Sequence, residues 1–328
     1  MRWQEVFNGA DTAILNNKTY RTKDSLLLYD KFFSDTNEGR RARLMPFLWK
    51  TIVPRGVIFG NRTYNNKVDV KNRYWFSYPG YNEIFTGYPD TLVNSNEYKS
   101  NPNDNVLSFL NATTGYKNTV AVFASWNAFK RIFNSVKTSL PVNDGFDALK
   151  EITNPQVAVL NSIERLLPDL YDGAERLDAV TGLTAIEYLK SKHPKILYVS
   201  LGETDEWAHA GKYDYYLEAA RYNDEIIKLI WDTVQSDPFY KNNTTLLITT
   251  DHGRGKGNEW TSHNNSISFS NEIWIAAMGK NIARQGEIKK PMQIYQEQIA
   301  QSIAFLAGII FAANHVVAPK IDQLFRKN

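Results

Sequence analysis

Three short apolar runs, Thr119 to Phe123, Ile196 to Leu201 and Thr245 to Thr249, alternate with longer stretches of helical spacing, and that alternation decides the fold class. Each run is rich in β-branched or aromatic residues at consecutive positions, the pattern of a strand covered on both faces. Asn271 to Met278 forms a fourth run, stopped by Gly279. A helical pattern at Leu183 to Lys192 precedes the second run. A longer one, Tyr213 to Gln235, precedes the third, with apolar residues at Tyr216, Leu217, Ala220, Ile227, Leu229, Ile230 and Val234. Strands alternating with helices predict an α/β fold, a mainly parallel sheet with helices on both faces. The length of 328 residues suits one such domain. Residues 59–111, rich in Asn, Tyr and Pro, are expected to form a loop or cap insertion within it.

Charge and composition remove several function classes. The formal net charge is +3 and the basic residues are scattered, the longest clusters being the dipeptides Arg40-Arg41 and Lys289-Lys290, so no nucleic-acid footprint is present. The absence of cysteine excludes disulfides, thiolate metal sites and cysteine nucleophiles. The most apolar stretch, Ile299 to Ala313, is interrupted by Gln301 and Ser302 and falls short of the ~20 residues of a membrane span, so a core-packed helix is expected there. No signal peptide is legible, because no apolar run follows Met1-Arg2-Trp3-Gln4-Glu5.

Chemistry concentrates after the second and third runs. Ile196 to Leu201 leads into Asp205, with His209 four residues later; a helical turn beginning near Asp205 places both side chains on one face. Thr245 to Thr249 leads into adjacent Asp251 and His252, then Gly253. Ligands of open α/β sheets bind beyond the carboxyl ends of the strands, so both pairs arrive at the same edge. His263 follows on a loop whose Gly253, Gly255 and Gly257 allow it to fold back. Three of the chain's five histidines thus fall in one constellation of Asp and His, ordinary ligands of zinc or manganese. His193 and His315 lack such a context and are expected to be structural or exposed.

Asp-x-x-x-His after one strand, Asp-His-Gly after the next and a later His resemble the alkaline phosphatase superfamily, which includes nucleotide pyrophosphatase/phosphodiesterases, cofactor-independent phosphoglycerate mutases, phosphopentomutases and sulfatases. The wider wording, from Arg2-Trp3-Gln4-Glu5-Val6-Phe7 to Thr250-Asp251-His252-Gly253-Arg254-Gly255, is similar to a bacterial group labelled alkaline phosphatase-like or phosphoglyceromutase. The resemblance implies a three-layer α/β sandwich and two divalent metal ions, Zn or Mn. One ion would be held by Asp205, His209 and His263, the other by Asp251 and His252 with a further Asp and the nucleophile hydroxyl. It also implies a small-molecule phosphate ester as substrate and an extracytoplasmic location for the natural protein.

The run Phe76-Ser77-Tyr78-Pro79-Gly80-Tyr81-Asn82-Glu83-Ile84-Phe85-Thr86-Gly87 resembles the Thr-Phe-Pro-Asn…Thr-Gly segment of the phosphodiesterase branch and puts Ser77 at the nucleophile position. Pro79 suits the first turn of a helix, where free N–H groups attract an anionic phosphate. The competing role for Ser77 is that of an ordinary N-cap. Thr86 is a weaker rival nucleophile, and Tyr78 and Asn82 are candidate substrate-binding residues. The aromatic residues Tyr74, Trp75, Tyr81, Trp207 and Trp260 also fall near this chemistry, as base-stacking or rim-packing groups.

One departure stands out. In the family, a strand ending in Asp-Gly precedes Arg-Trp-Gln-Glu, and that Asp is a ligand of the second metal; here Met1 stands directly before Arg2-Trp3, and Asp11 lies too far along to replace it. Either the natural chain starts earlier than Met1 and carries that strand, or the sheet is short of a central strand and the second site is incomplete. The expected function is metal-dependent hydrolysis of phosphate mono- or diesters through Ser77. The alternatives are a phosphoglycerate-mutase-like phosphotransfer and an inactive or binding relative. A sulfatase is a lesser alternative, because Tyr81 stands where the sulfatase signature has Arg.

Overall fold

The computed structural model describes residues 1–168 and 170–326. Ten strands are present among them: β1 (Gly56–Phe59), β2 (Asn66–Asp69), β3 (Val120–Ala124), β4 (Val142–Asp144), β5 (Ile196–Ser200), β6 (Thr245–Thr249), β7 (Glu272–Ile273), β8 (Ile275–Gly279), β9 (Gly286–Glu287) and β10 (Met292–Tyr295). They form a four-stranded sheet in the order β6-β8-β1-β9, a three-stranded sheet β4-β3-β5 and a small sheet β10-β2-β7. Pairing is parallel within β4-β3-β5 and antiparallel where β8 meets β1 and β6, giving a mixed α/β architecture.

The period of two along the strands separates two apolar layers. Val57, Phe59, Ile275 and Ala277 face one core with Val120, Val122 and Phe85. Ile58, Ala276 and Met278 face the other, with Phe7, Tyr213, Tyr216 and Trp260. Helices therefore cover both faces. The longest, Tyr213–Ser236, buries Tyr213, Tyr216, Leu217 and Ala220 at helical spacing. Its buried Asp224 accepts from the main-chain N–H groups of Phe47 at 2.7 Å and Leu48 at 2.8 Å, anchoring the N-terminal helices to it.

The expected run Asn271 to Met278 is two strands. Glu272–Ile273 pairs with β2, the chain crosses between sheets at Trp274, and Ile275–Gly279 runs between β1 and β6. The apolar strands β5 and β6 are only half-buried over most of their length. Among the described residues each is paired on one side only, β5 to β3 and β6 to β8. Ile299 to Ala313 is helical only over Gln298–Leu306, where Ile299, Ala300, Ser302 and Ala304 are buried. Residues 59–111 contribute β2, the helices Ser77–Thr86 and Val106–Ala112, and buried core residues such as Tyr78, Val93 and Leu110. Among the described residues, no helix is long and apolar enough to cross a membrane.

Candidate metal centre

The helix Glu203–His209 starts directly beyond β5. Its entry is fixed by buried Asp178, which accepts from the N–H of Gly202 at 2.7 Å and of Glu203 at 3.0 Å. One turn separates Asp205 from His209, and the two side chains meet, His209 Nε2 lying 3.1 Å from Asp205 Oδ2. The loop after β6 folds back as expected and carries His263 in. His263 Nε2 is 2.9 Å from His209 Nε2 and 3.8 Å from Asp205 Oδ2. One ligand atom from each of Asp205, His209 and His263 lies within 4.8 Å of the others.

Asp251 and His252 leave the carboxyl end of β6 beside this trio. His252 Nε2 is 3.4 Å from Asp251 Oδ2 and 3.8 Å from Asp205 Oδ1. Its other nitrogen, Nδ1, donates to the Gly253 carbonyl at 2.8 Å, which fixes the tautomer and leaves Nε2 with its lone pair toward the site. The His252 and His263 rings stack with centroids 3.9 Å apart.

Ser77 closes the arrangement. Phe76, not Ser77, is the N-cap of the helix Ser77–Thr86, so the serine hydroxyl is not spent on capping. Ser77 Oγ lies 3.3 Å from His252 Nε2. The helix ends at Gly87 in the left-handed conformation, φ 68°. Its middle is fixed by buried Glu83, which accepts from the N–H groups of Lys71 at 2.9 Å, Asn72 at 2.7 Å and Glu297 at 3.1 Å. At Gly80 the helix rests directly on the main chain of Asp251.

These donors fit divalent metal ions. Two nitrogen or oxygen ligands of a tetrahedral ion, each about 2.0–2.1 Å from it, stand roughly 3.3 Å apart. The separations His209–Asp205, His252–Asp251 and Ser77–His252, at 3.1, 3.4 and 3.3 Å, match that spacing. Asp205, His209 and His263 supply three donors for one ion. Asp251, His252 and the Ser77 hydroxyl form a second group of three candidate donors, only two of them Asp or His.

The electrostatics suit the same purpose. Burial pushes the His263 imidazole down to about 2 and that of His252 down to about 4, so both are neutral and able to ligate at physiological pH. Burial alone would raise the Asp205 carboxyl, but Arg254, with His263, His209 and His252, outweighs it and holds Asp205 well below the ordinary carboxylate range. Burial, helped by the nearby Asp205 charge, raises Asp251 to about 6.

Arg254 was not among the residues expected here. Its side chain is buried, it ion-pairs with Asp205 Oδ1, and its Nε donates to the Trp260 carbonyl at 3.1 Å. The signal was available, since Arg254 directly follows Asp251-His252-Gly253, at the edge where the ligands gather.

Other expected residues fall elsewhere. Tyr78 is fully buried and its hydroxyl donates to the Lys99 carbonyl at 3.0 Å. Asn82, also buried, donates to the Tyr88 carbonyl at 2.9 Å and accepts from Asn101 and Asn103. Their polar groups are committed to holding the loops behind the Ser77 helix. Thr86 is buried at the far end of that helix and donates to the Tyr88 carbonyl. Asp11 caps the short helix Thr12–Asn16. His193 pairs with Asp237, and His315 stacks on Tyr88. Trp260 is packed in the core, whereas the Tyr81 hydroxyl meets Ser200 Oγ at the end of β5, 3.1 Å away.

The sequence and the fold have relatives. Residues 170–301 match the family model described as the Metalloenzyme superfamily. Among solved structures, the wild-type alkaline phosphatase PafA superposes with a TM-score of 0.64 at 11% identity, covering 84% of this chain and 94% of that one. A 2-O GAG sulfatase gives 0.56 at 16% identity, covering 80% of this chain and 65% of that one. A protein in the alkaline phosphatase superfamily from Vibrio parahaemolyticus gives 0.51 at 14% identity, covering 81% and 61%. The present chain thus spans a little under two thirds of the length of the last two. No curated protein matches the sequence. The chain thus shares its fold with the alkaline phosphatase PafA, and the segment that matches the Metalloenzyme superfamily model holds all five Asp and His ligand candidates.

Proposed function

We propose that this protein is a metal-dependent hydrolase of phosphate esters in which Ser77 is the nucleophile. Asp205, His209 and His263 would hold one divalent ion, and Asp251 and His252 with Ser77 a second. The observation that carries this reading is the 3.3 Å approach of Ser77 Oγ to His252 Nε2, at the start of a helix whose cap is another residue. When bound, such ions neutralise a phosphate and favour ionisation of a nearby hydroxyl.

The chain's own residues supply the rest. In the first turn of the Ser77–Thr86 helix the Tyr78 N–H is held by Asn96 Oδ1 at 3.0 Å, Pro79 has none and the Gly80 N–H bonds the Phe76 carbonyl, which leaves the Ser77 N–H to meet an incoming phosphate. Ser77 Oγ attacks phosphorus, the bond from phosphorus to the alcohol oxygen breaks, and the alcohol departs to leave phosphoserine. Water then cleaves that ester and frees Ser77 with release of phosphate. Arg254 neutralises Asp205 on the side away from His209 and holds its carboxylate in place.

Sulfate esters are the second reading, favoured by the likeness to a sulfatase fold. The absence of cysteine and the presence of Tyr81 in place of the signature Arg make phosphate the better fit. The deciding assay is hydrolysis of aryl phosphate mono- and diesters, and of aryl sulfates, with added Zn or Mn. Wild-type protein should turn over a phosphate ester and Ser77→Ala should not, while Ser77→Ala keeps the ion assigned to Asp205, His209 and His263. Near-normal turnover by Ser77→Ala would reject the assignment.

A further inference from the structure

The buried carboxyl of Glu175 stands beside Gly202, near the edge of the site, with one oxygen left without a hydrogen-bond partner. Its main chain is clamped to the end of β3 by a bridge to Trp126, and Arg176 N–H donates to the Ser125 carbonyl at 3.1 Å. The residue is 9% exposed, yet its Oε2 has no hydrogen-bond partner. The carboxyl lies over the Cα of Gly202, just beyond β5, so closely that a Cβ there would sit 1.8 Å from Oε2. A buried carboxyl oxygen left without a hydrogen-bond partner is costly unless a ligand satisfies it.

The surroundings define what would bind. Burial, and then the carboxylates Glu206, Asp178, Asp205 and Asp251, push the Glu175 carboxyl well above its ordinary range, a strain on the charged form that a bound cation would relieve. Asp178 is occupied by the Gly202 and Glu203 N–H groups and the Ser125 hydroxyl, and Asp205 and Asp251 are ligand candidates. Glu206 is partly exposed on the helix that carries Asp205. Aromatic faces complete the wall. Tyr81 lies one turn beyond Ser77 on the same side of its helix, and its ring is 6.4 Å from that of Trp126. Carboxylates beside aromatic rings attract an organic cation.

We infer that Glu175, with Glu206, forms a subsite for a positively charged amine on the alcohol part of the substrate, so that amino-alcohol phosphates are preferred over neutral ones. This rests on the reading of the site as a phosphate-ester hydrolase.

The test separates binding from turnover. Calorimetric titration of the metal-loaded protein compares 2-aminoethylphosphonate with propylphosphonate, isosteric probes whose P–C bond the proposed hydrolysis does not cleave. The amine should bind about tenfold or more tightly in wild type, as a charge-assisted hydrogen bond allows, and the ratio should fall to near one in Glu175→Gln. A ratio near one in wild type overturns the inference, as does a ratio unchanged by the substitution. So does loss of a metal equivalent from Glu175→Gln, which would make Glu175 a ligand. Aryl phosphate turnover is scored separately. Its absence beside an intact amine preference would reject the hydrolase reading alone.

Discussion

Gly80, in the first turn of the Ser77 helix, lies against the main chain of Asp251 so tightly that a Cβ would fall 2.4 Å from the Asp251 carbonyl oxygen. That contact joins the proposed nucleophile's helix to the strand end that carries Asp251 and His252. It sets the distance between Ser77 and His252.

Gly80→Ala therefore tests the positioning directly. Inside a helix the change alone would favour folding by roughly 1 kcal/mol, but overpacking against a fixed carbonyl costs about 1–3 kcal/mol, so the clash wins. The helix should tilt off β6, and turnover should fall by roughly 100-fold, the scale of a 1 Å misplacement. Thermal melts and aryl phosphate kinetics check this. A stabilised variant with full activity would show that the contact does not position Ser77.

Metal counting separates the two donor sets. His263→Ala should lose the ion assigned to Asp205 and His209, read by elemental analysis after gel filtration, whereas His315→Ala should keep the wild-type content. The outcome follows from placement, because His263 lies 2.9 Å from His209 while His315 stacks on Tyr88. Equal metal content in both variants would contradict it.

Glu83 gives a pH signature. Burial pushes its carboxyl up to about 7 from an ordinary value of 4.5. Between those values the folded protein keeps a proton that the unfolded chain has released. Its contribution to stability is therefore fully present below about pH 4.5 and is lost as pH rises to about 7. Relative to Glu83→Gln, wild type should lose on the order of a few kcal/mol between pH 4.5 and 8. Urea unfolding of both proteins across that range measures it, and a constant difference would contradict the assignment.

Arg254→Met removes the cation that offsets Asp205. Breaking a buried ion pair costs about 3–5 kcal/mol, and the partly exposed Asp205 places this one at or below the lower end. In metal-free protein the melting temperature should drop. Saturating Zn should restore part of the loss, because the ion supplies the missing positive charge. Equal losses with and without Zn would show that Arg254 and the ion do not act on the same carboxylate.

Sequence carried much of this site. Asp205 and His209 announced themselves by helical spacing after an apolar strand, and Asp251 and His252 by adjacency at the end of another. Glycine-rich wording correctly implied that His263 would fold back. What was hidden depends on partners far away in sequence. Tyr78 and Asn82 follow Ser77 closely in the chain, but a helix turns them toward loops near Tyr88 and Lys99. Glu175 is separated from Gly202 by a helix and a strand, and no spacing rule links them. Residues of β5 and β6 have the composition of fully buried strands yet are half-exposed, because pairing partners, not residue types, decide whether an edge is covered. Trp274 marks a crossing between two sheets that an unbroken apolar run conceals.

The central claim is that the Ser77 oxygen meets phosphorus. Metal-loaded protein mixed with an aryl phosphate and quenched in acid within one turnover should carry a phosphate on the peptide containing Ser77, located by mass spectrometry. Ser77→Ala should carry none. Rapid hydrolysis by Ser77→Ala, with phosphate on no residue, would contradict the account.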